Sequence, residues 1–402
     1  MNVPGIHRVS AAFSHASSFL KANKLIVTIV AFALIGGGYL TFAFASTTTP
    51  PTIDHCAKAK GPFTVHGTTV MQDNGQPYIP YGITVPGLAQ GDYSAQTIST
   101  DESQIQAAAN DWCSNTVRLQ VSQDSLVGVS GTVYSKPFMD AIKAEVSYAE
   151  NLGLVVVINA QTEVVGNEPL PTIATHAFWK SLTGVYGSDP QVVFDLFNEP
   201  HTSIGGNTQN DIWEIWQNGG VRQNVTYLGM QQLATDVRSF GAKNLFWIEG
   251  PNTASTLSEV TSYPITNVGP MVYAIHHPKG THNVITWQSD FGYLITQHVA
   301  PVVVGEWTQY ASATQSECWS DAYTAVPSFL NYLQNLHIGM TVWSLRQGVM
   351  LKSSDFSQPT HIDLNYKCVD NINGPNGPNE GAGRQVRNWF TSQNSGATLS
   401  SQ

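Results

Sequence analysis

Charge is what this 402-residue sequence has least of. Asp, Glu, Lys and Arg together make up 11% of it, against roughly 25% in ordinary soluble domains. The shortage is greater on the basic side. Eighteen Lys and Arg stand against 28 Asp and Glu, a formal net charge of −10. No basic stripe runs along the chain, which argues against nucleic acid as a partner. Cysteine is scarce too: Cys56, Cys113, Cys318 and Cys368 are the four, and no CxxC pair occurs. A cysteine-based metal site is not expected. Gly, Ser, Thr, Asn and Gln take the place of charge and give a neutral, hydroxyl- and amide-rich surface, common in extracellular proteins. The mild acidic balance suits a neutral ligand better than an anionic one. Hydrophobic residues at 42% and aromatics at 10% suffice for a sizeable core.

The one long charge-free apolar run is N-terminal. Lys21 and Lys24 precede it, it spans residues 25–45, and Ala43-Phe44-Ala45 has the small-x-small form of a cleavage site. Residues 1–45 therefore read as a signal peptide or as an uncleaved membrane anchor, since about 20 apolar residues span a bilayer. Either reading puts the rest of the chain outside the cytoplasm, secreted or tethered through residues 25–45. Residues 46–62, with Thr47-Thr48-Thr49-Pro50-Pro51, read as a linker. An even cysteine count in an exported chain implies two disulfides, and four cysteines allow three pairings. Proximity along the chain favours Cys56–Cys113 and Cys318–Cys368.

From residue 63 a rhythm begins. Asp73-Asn74-Gly75 lies between two β-prone runs and reads as a short N-terminal hairpin. Eight apolar runs come next: Tyr81-Gly82-Ile83, Thr116-Val117-Arg118-Leu119, a run ending Val157-Ile158, one ending Leu196-Phe197, then Leu245-Phe246-Trp247-Ile248, Met271-Val272-Tyr273-Ala274-Ile275, Pro301-Val302-Val303-Val304 and Met340-Thr341-Val342-Trp343. Amphipathic stretches separate most of them: residues 99–112, opened by Ser99 and Glu102 as a capping box, then 138–152, 227–240 and 321–336. Thr226 is read as the N-cap of the third, a reading preferred to an Asn224-Val225-Thr226 glycosylation acceptor. Eight buried strands alternating with helices predict an α/β fold, a (β/α)8 TIM barrel over residues 63–392. An open doubly wound sheet is the alternative. The irregular stretch 350–383 is long enough to be functional. A last helix over 384–390 is expected to close the barrel, and residues 393–402 read as a disordered tail. The molecule is expected to be a monomer.

In such barrels catalytic groups sit at the C-terminal ends of strands. The fourth run leads into Asn198-Glu199-Pro200, and the seventh leads through Gly305 into Glu306. Two carboxylates on two strand ends can face each other across one cleft. Retaining glycoside hydrolysis needs such a pair about 5–5.5 Å apart, one as acid and one as nucleophile. A neighbouring carboxylate and partial burial would keep the acid protonated. Arg118, at the second strand end, is placed to hold the nucleophile ionised. Singly, Glu199 could be a helix-start acid and Glu306 a solvated loop acid. Together, on the fourth and seventh of eight strands, they point to catalysis.

With Arg118, Asn198-Glu199-Pro200, Glu306 and Trp343 in this order, the chain resembles glycoside hydrolase family 5, the cellulase-like retaining glycosidases, from about residue 63 to 390. The resemblance implies Glu199 as general acid/base and Glu306 as nucleophile. It implies Arg118 as the partner of Glu306, Asn198 as donor to a substrate 2-hydroxyl, and Trp343 as the platform beneath the sugar. Trp247, Trp287 and Trp307 are further aromatic candidates, with packing as the competing role. The chain departs from the family in two places. His276 fits the family histidine, but Pro278 stands where a tyrosine is expected, with His277 or Tyr310 as replacements. On the third strand Gln161 stands where the family commonly has a histidine. Adjacent histidines on a strand face opposite ways, so His276, His277 and His282 do not read as a metal cluster. No cofactor or metal is expected. The partner expected is a β-linked polysaccharide or oligosaccharide. The expected activity is endo-β-1,4-glucanase, with β-mannanase, another β-glucanase, a glycolipid-directed glycosidase or a non-catalytic carbohydrate-binding barrel as alternatives.

Overall fold

All eight apolar runs become parallel strands, and they close on themselves. In the computed structural model, which describes residues 56–89, 95–162, 168–201, 209–276, 282–309, 318–368 and 381–395, the barrel strands are β1 (Tyr81–Val85), β2 (Thr116–Ser122), β3 (Val155–Gln161), β4 (Val192–Asp195), β5 (Phe246–Glu249), β6 (Met271–Ile275), β7 (Val302–Trp307) and β8 (Gly339–Val342). Each pairs in parallel with its chain neighbours, and β8 pairs with β1. The open-sheet alternative is thereby excluded. Segment 25–45 lies outside the described residues. Among those described, no helix is long and apolar enough to cross a membrane.

The strands work by period two. On β2, Val117, Leu119 and Val121 face outward and join the large core shared with the helices. The intervening Arg118, Gln120 and Ser122 are just as buried, but face the barrel interior. Low in that interior Val155, Val157, Val193, Trp247, Val272 and Val303 pack together with Phe63, Val70 and Tyr78 from the N-terminal hairpin. The hairpin thus plugs the barrel floor. Its two strands, Thr64–His66 and Thr69–Met71, turn at Gly67 rather than at Asp73-Asn74-Gly75. The latter forms a second turn that returns Pro77 to Met71.

The helices expected over 138–152 and 321–336 appear as Lys136–Asn151 and Ala322–Asn335. The first expected helix runs Ala95–Asn110. The third needs correction. Val225–Leu228 pairs with Gly219–Arg222 as a hairpin, and the helix starts later, at Met230. Gln223 and Asn224 both take left-handed backbone, φ 50° and 63°, the geometry of a tight hairpin turn. Asn224 is therefore a turn residue and Thr226 a strand residue, not an N-cap. Two further helices, Ile173–Tyr186 and Gln209–Asn218, have no counterpart among the expected amphipathic stretches.

The domain edges shift as well. Cys56 bonds Cys113, and Cys318 bonds Cys368, the pairing favoured by chain proximity. Ala57 donates its backbone N–H to Asn394, and Ala59 is buried. Residues 56–62, read as linker, therefore belong to the folded unit. The last helix runs Gly383–Asn394, and Ser395 bridges to Cys56. The first residues assigned to a disordered tail are thus ordered.

Candidate active site

One arginine organises the upper barrel interior. Arg118 is fully buried. Its Nε donates to Asp195 at 2.8 Å, Nη1 to Glu306 at 2.8 Å, and Nη2 to Asn198 at 2.8 Å and Glu249 at 2.9 Å. The planar fork of an arginine is what permits four acceptors at fixed angles. Gln120, two residues on and therefore on the same face, donates to the same Glu306 oxygen at 3.0 Å. Both donors converge on Oε2, so any proton on Glu306 would sit on its other oxygen.

Glu306 owes its direction to an irregularity in β7. Val304 pairs with Met340 and Trp307 with Val342, so three steps on β7 match two on β8. Such a bulge turns the side chains beyond it. Val303 faces the barrel interior, and strict alternation would send Glu306 outward; the bulge returns it to the cleft. The next residue, Trp307, then points away. It is 1% exposed and packs its ring near Trp319 and Phe329. Trp307, expected to contact sugar, is therefore a core residue. Trp287 packs in the same outer layer against Phe329 and Tyr332, and Trp247 fills the barrel floor.

Glu199 lies beyond β4, where the chain turns. Asn198 donates its backbone N–H to Ala160, and Glu199 itself has φ 48°. A non-glycine residue in that region is strained and needs support. Support comes from Glu249, whose Oε2 accepts the Glu199 backbone N–H at 2.6 Å. The Glu199 side chain meets His276, Nδ1 to Oε1 at 3.0 Å, and His276 Nε2 lies 3.0 Å from Glu249 Oε1. One ligand atom each from Glu199, His276 and Glu306 all lie within 4.8 Å of one another. The Glu199 and Glu306 side chains are 28% and 20% exposed, whereas Arg118, Asp195 and Glu249 are at 0%. Only the first pair can reach a substrate. These three groups could physically hold a cation, but Glu306 already has a guanidinium at 2.8 Å.

The electrostatics follow from crowding. Burial pulls the His276 imidazole down, but the charge of Glu249, contacts with Glu199 and Glu249, and the charge of Glu306 carry it up to about 10. Burial, then the charge of Glu249, pushes Asp195 up to about 8 against the pull of Arg118. Its Oδ1 has no partner among the described residues. Burial also raises Glu306, opposed by His276 and Arg118. Glu249 goes the other way: burial would raise it, but His276, Arg118 and the Glu199 N–H hold it below the ordinary carboxylate range.

Of the other expected contacts, Trp343 follows β8, is half-buried, and has the Arg346 guanidinium 5.4 Å above its ring. Gln161 ends β3, buried, its Oε1 accepting from the Thr162 backbone N–H. His277, Pro278 and Tyr310 lie outside the described residues. Gln120, Asp195 and Glu249 were missed. The signal was available for two of them. Gln120 is two residues after Arg118, and Glu249 ends its apolar run in a carboxylate, as the fourth and seventh runs do.

A closed (β/α)8 barrel with two half-open glutamates over a buried arginine defines a glycosidase-like site. The chain belongs to the cellulase family, glycosyl hydrolase family 5, whose model matches residues 71–348. It is similar to "Endoglucanase 5" of Pectobacterium carotovorum subsp. carotovorum, 22% identical over 81% of this chain and 58% of the relative. "Endoglucanase N" of Pectobacterium atrosepticum is 21% identical over 81% of this chain and 66% of the relative. The chain thus spans about three fifths of the length of these curated relatives. Among solved structures, a β-glucanase from Saccharophagus degradans superposes with TM-score 0.59 at 20% identity, covering 77% of this chain and 92% of the other. An endocellulase from Pyrococcus horikoshii, solved as a cellotetraose complex, gives TM-score 0.59 at 15% identity, covering 75% and 96%. At these identities the structural likeness establishes the fold.

Proposed function

We propose that this chain is a retaining β-glycosidase acting on polysaccharide, first of all an endo-β-1,4-glucanase. The observation that carries the reading is the approach of Glu199 and Glu306 to within 4.8 Å. One carboxylate oxygen from each residue is therefore closer to the about 5–5.5 Å of a retaining pair than to the about 6.5–9.5 Å of an inverting one. In this account Glu306 attacks the anomeric carbon and forms a glycosyl-enzyme. Glu199 protonates the departing oxygen, then deprotonates the water that releases the sugar. Arg118 and Gln120 hold the nucleophile in line. Arg118 fixes the Asn198 side chain through its oxygen, and the resemblance to the family gives Asn198 the role of donor to a sugar hydroxyl. Trp343 offers a ring face to the C–H face of the sugar. β-Glucan is favoured because the family is cellulase-like and a structural neighbour carries cellotetraose. The two disulfides suit an oxidising compartment, in keeping with an exported chain.

The test is reducing-sugar release from β-1,4-glucan, mixed-linkage glucan, glucomannan and mannan, by the full chain and by its Glu306→Gln variant. Release by the parent alone, greatest on β-1,4-glucan, is expected. Equal release by both, or none by the folded parent, contradicts the reading.

A further inference from the structure

Glu249 touches three parts of the site yet has no surface of its own to offer a substrate. It closes β5, and its side chain is fully buried. One oxygen receives Arg118 at 2.9 Å and stands 3.0 Å from His276 Nε2; the other receives the Glu199 backbone N–H at 2.6 Å. Its own backbone oxygen accepts from the Trp216 indole at 2.9 Å. The charged groups around it are Arg118, Asp195, Glu199, His276 and Glu306.

We propose that Glu249 is a positioning residue for the acid/base: it fixes the Glu199 backbone and orients His276 so that Nδ1 faces the Glu199 carboxyl. Donor and acceptor chemistry leads there. An ionised carboxylate only accepts. Glu249 stands 3.0 Å from Nε2 as an ion-pair contact rather than a hydrogen bond, and its negative charge favours a proton on that nitrogen. The remaining nitrogen, Nδ1, is then left to answer Glu199. With the imidazole held charged, Nδ1 donates to the Glu199 carboxylate, which steadies the ionised form that must act as base in the second step. A general acid that must become a general base within one turnover needs a partner of this kind. Without Glu249 the ring would lose the charge that keeps it protonated and oriented, and the left-handed backbone at Glu199 would lose its anchor.

The inference rests on the proposed retaining mechanism, so its test carries a readout that does not. Glu249→Gln keeps the shape and removes the charge; Glu249→Asp keeps the charge on a shorter arm. In Glu249→Gln, kcat on unactivated oligosaccharide should fall on the order of 10²-fold, the scale of a misplaced catalytic group. KM should change little. Aryl glycosides with good leaving groups should lose much less in the glycosylation step, because they need little acid assistance. Glu249→Asp should recover part of the loss. Independently, the His276 imidazole should titrate near 10 in the parent, read by NMR, and well below that in Glu249→Gln. An equal loss on both substrate types, or a His276 titration unmoved by the substitution, overturns the proposal. An inactive parent whose His276 titration still moves in Glu249→Gln would sink the glycosidase reading and leave the positioning role standing.

Discussion

The lower and upper halves of the barrel interior are built on the same eight strands with the same two-residue alternation, yet they share almost no chemistry. Below, Val155, Val157, Val193, Trp247 and Val303 make an apolar plug against the hairpin. Above, Arg118, Asp195, Glu249, His276 and Glu306 make a charged layer. On β5 two steps separate Trp247 in the first from Glu249 in the second. A chain that is otherwise poor in charge concentrates several ionisable groups in one water-poor layer, where each interaction is stronger than at the surface. The plug supplies stability. The layer is held by mutual compensation, and each half can be broken separately.

The largest effect should come from the upper half. Glu306→Gly should lower turnover by about 10⁴-fold or more, in a variant that circular dichroism shows to be folded. Added azide should restore turnover by forming a glycosyl azide, seen by mass spectrometry; a folded variant that azide leaves inert would remove Glu306 from the nucleophile's role. Next, Glu199→Ala should lower hydrolysis of natural glucan by about 10²- to 10⁴-fold, while activated aryl glycosides still glycosylate the enzyme. Stopped-flow release of the aryl group checks this, and equal losses would argue against an acid. In the lower half the sign of the contrast reverses. Trp247→Ala should cost about 3–5 kcal/mol of stability, read from denaturant unfolding, while kcat per folded molecule stays near that of the parent. The last contrast is in pH, where the effect is spread over several units. Burial pushes Asp101 up to about 6 and Asp195 up to about 8 from an ordinary 3.8, and His276 stands near 10 against 6.5. In each case the folded chain holds a proton that the unfolded chain has released. Stability is then fully present below the unfolded value and is lost as pH rises through the folded one. The thermal midpoint should fall steadily between about pH 5 and pH 9, and a midpoint that rises over that range would contradict the assignment.

Much of this was legible in the sequence because both signals are local. Apolar runs mark the strands, and the residues that end them supply the candidate site, where the structure brings Glu199, Glu306 and Arg118 together. Trp307 misled because the bulge at Gly305-Glu306 leaves no mark on composition. Without it, alternation would put Trp307 toward the cleft and Glu306 away. The hairpin at 219–228 was hidden because Tyr227 and Leu228 also fit a helical apolar pattern, and the left-handed pair at Gln223 and Asn224 decides between them only in three dimensions. Glu249 was readable in principle by the strand-end rule. Its importance lies in contacts with Arg118, His276 and the Glu199 backbone, 50 residues away in sequence in the last case, and no local pattern encodes those.

The central claim is that Glu306 forms a covalent bond to sugar. The most direct test incubates the full chain with a 2-deoxy-2-fluoro glycoside, bearing a good leaving group, of whichever sugar it hydrolyses, and locates the added mass by peptide sequencing. The account predicts one sugar per chain, attached to Glu306 and absent from Glu306→Gln. A label on another residue, or none from an enzyme that releases product of inverted anomeric configuration, would contradict it.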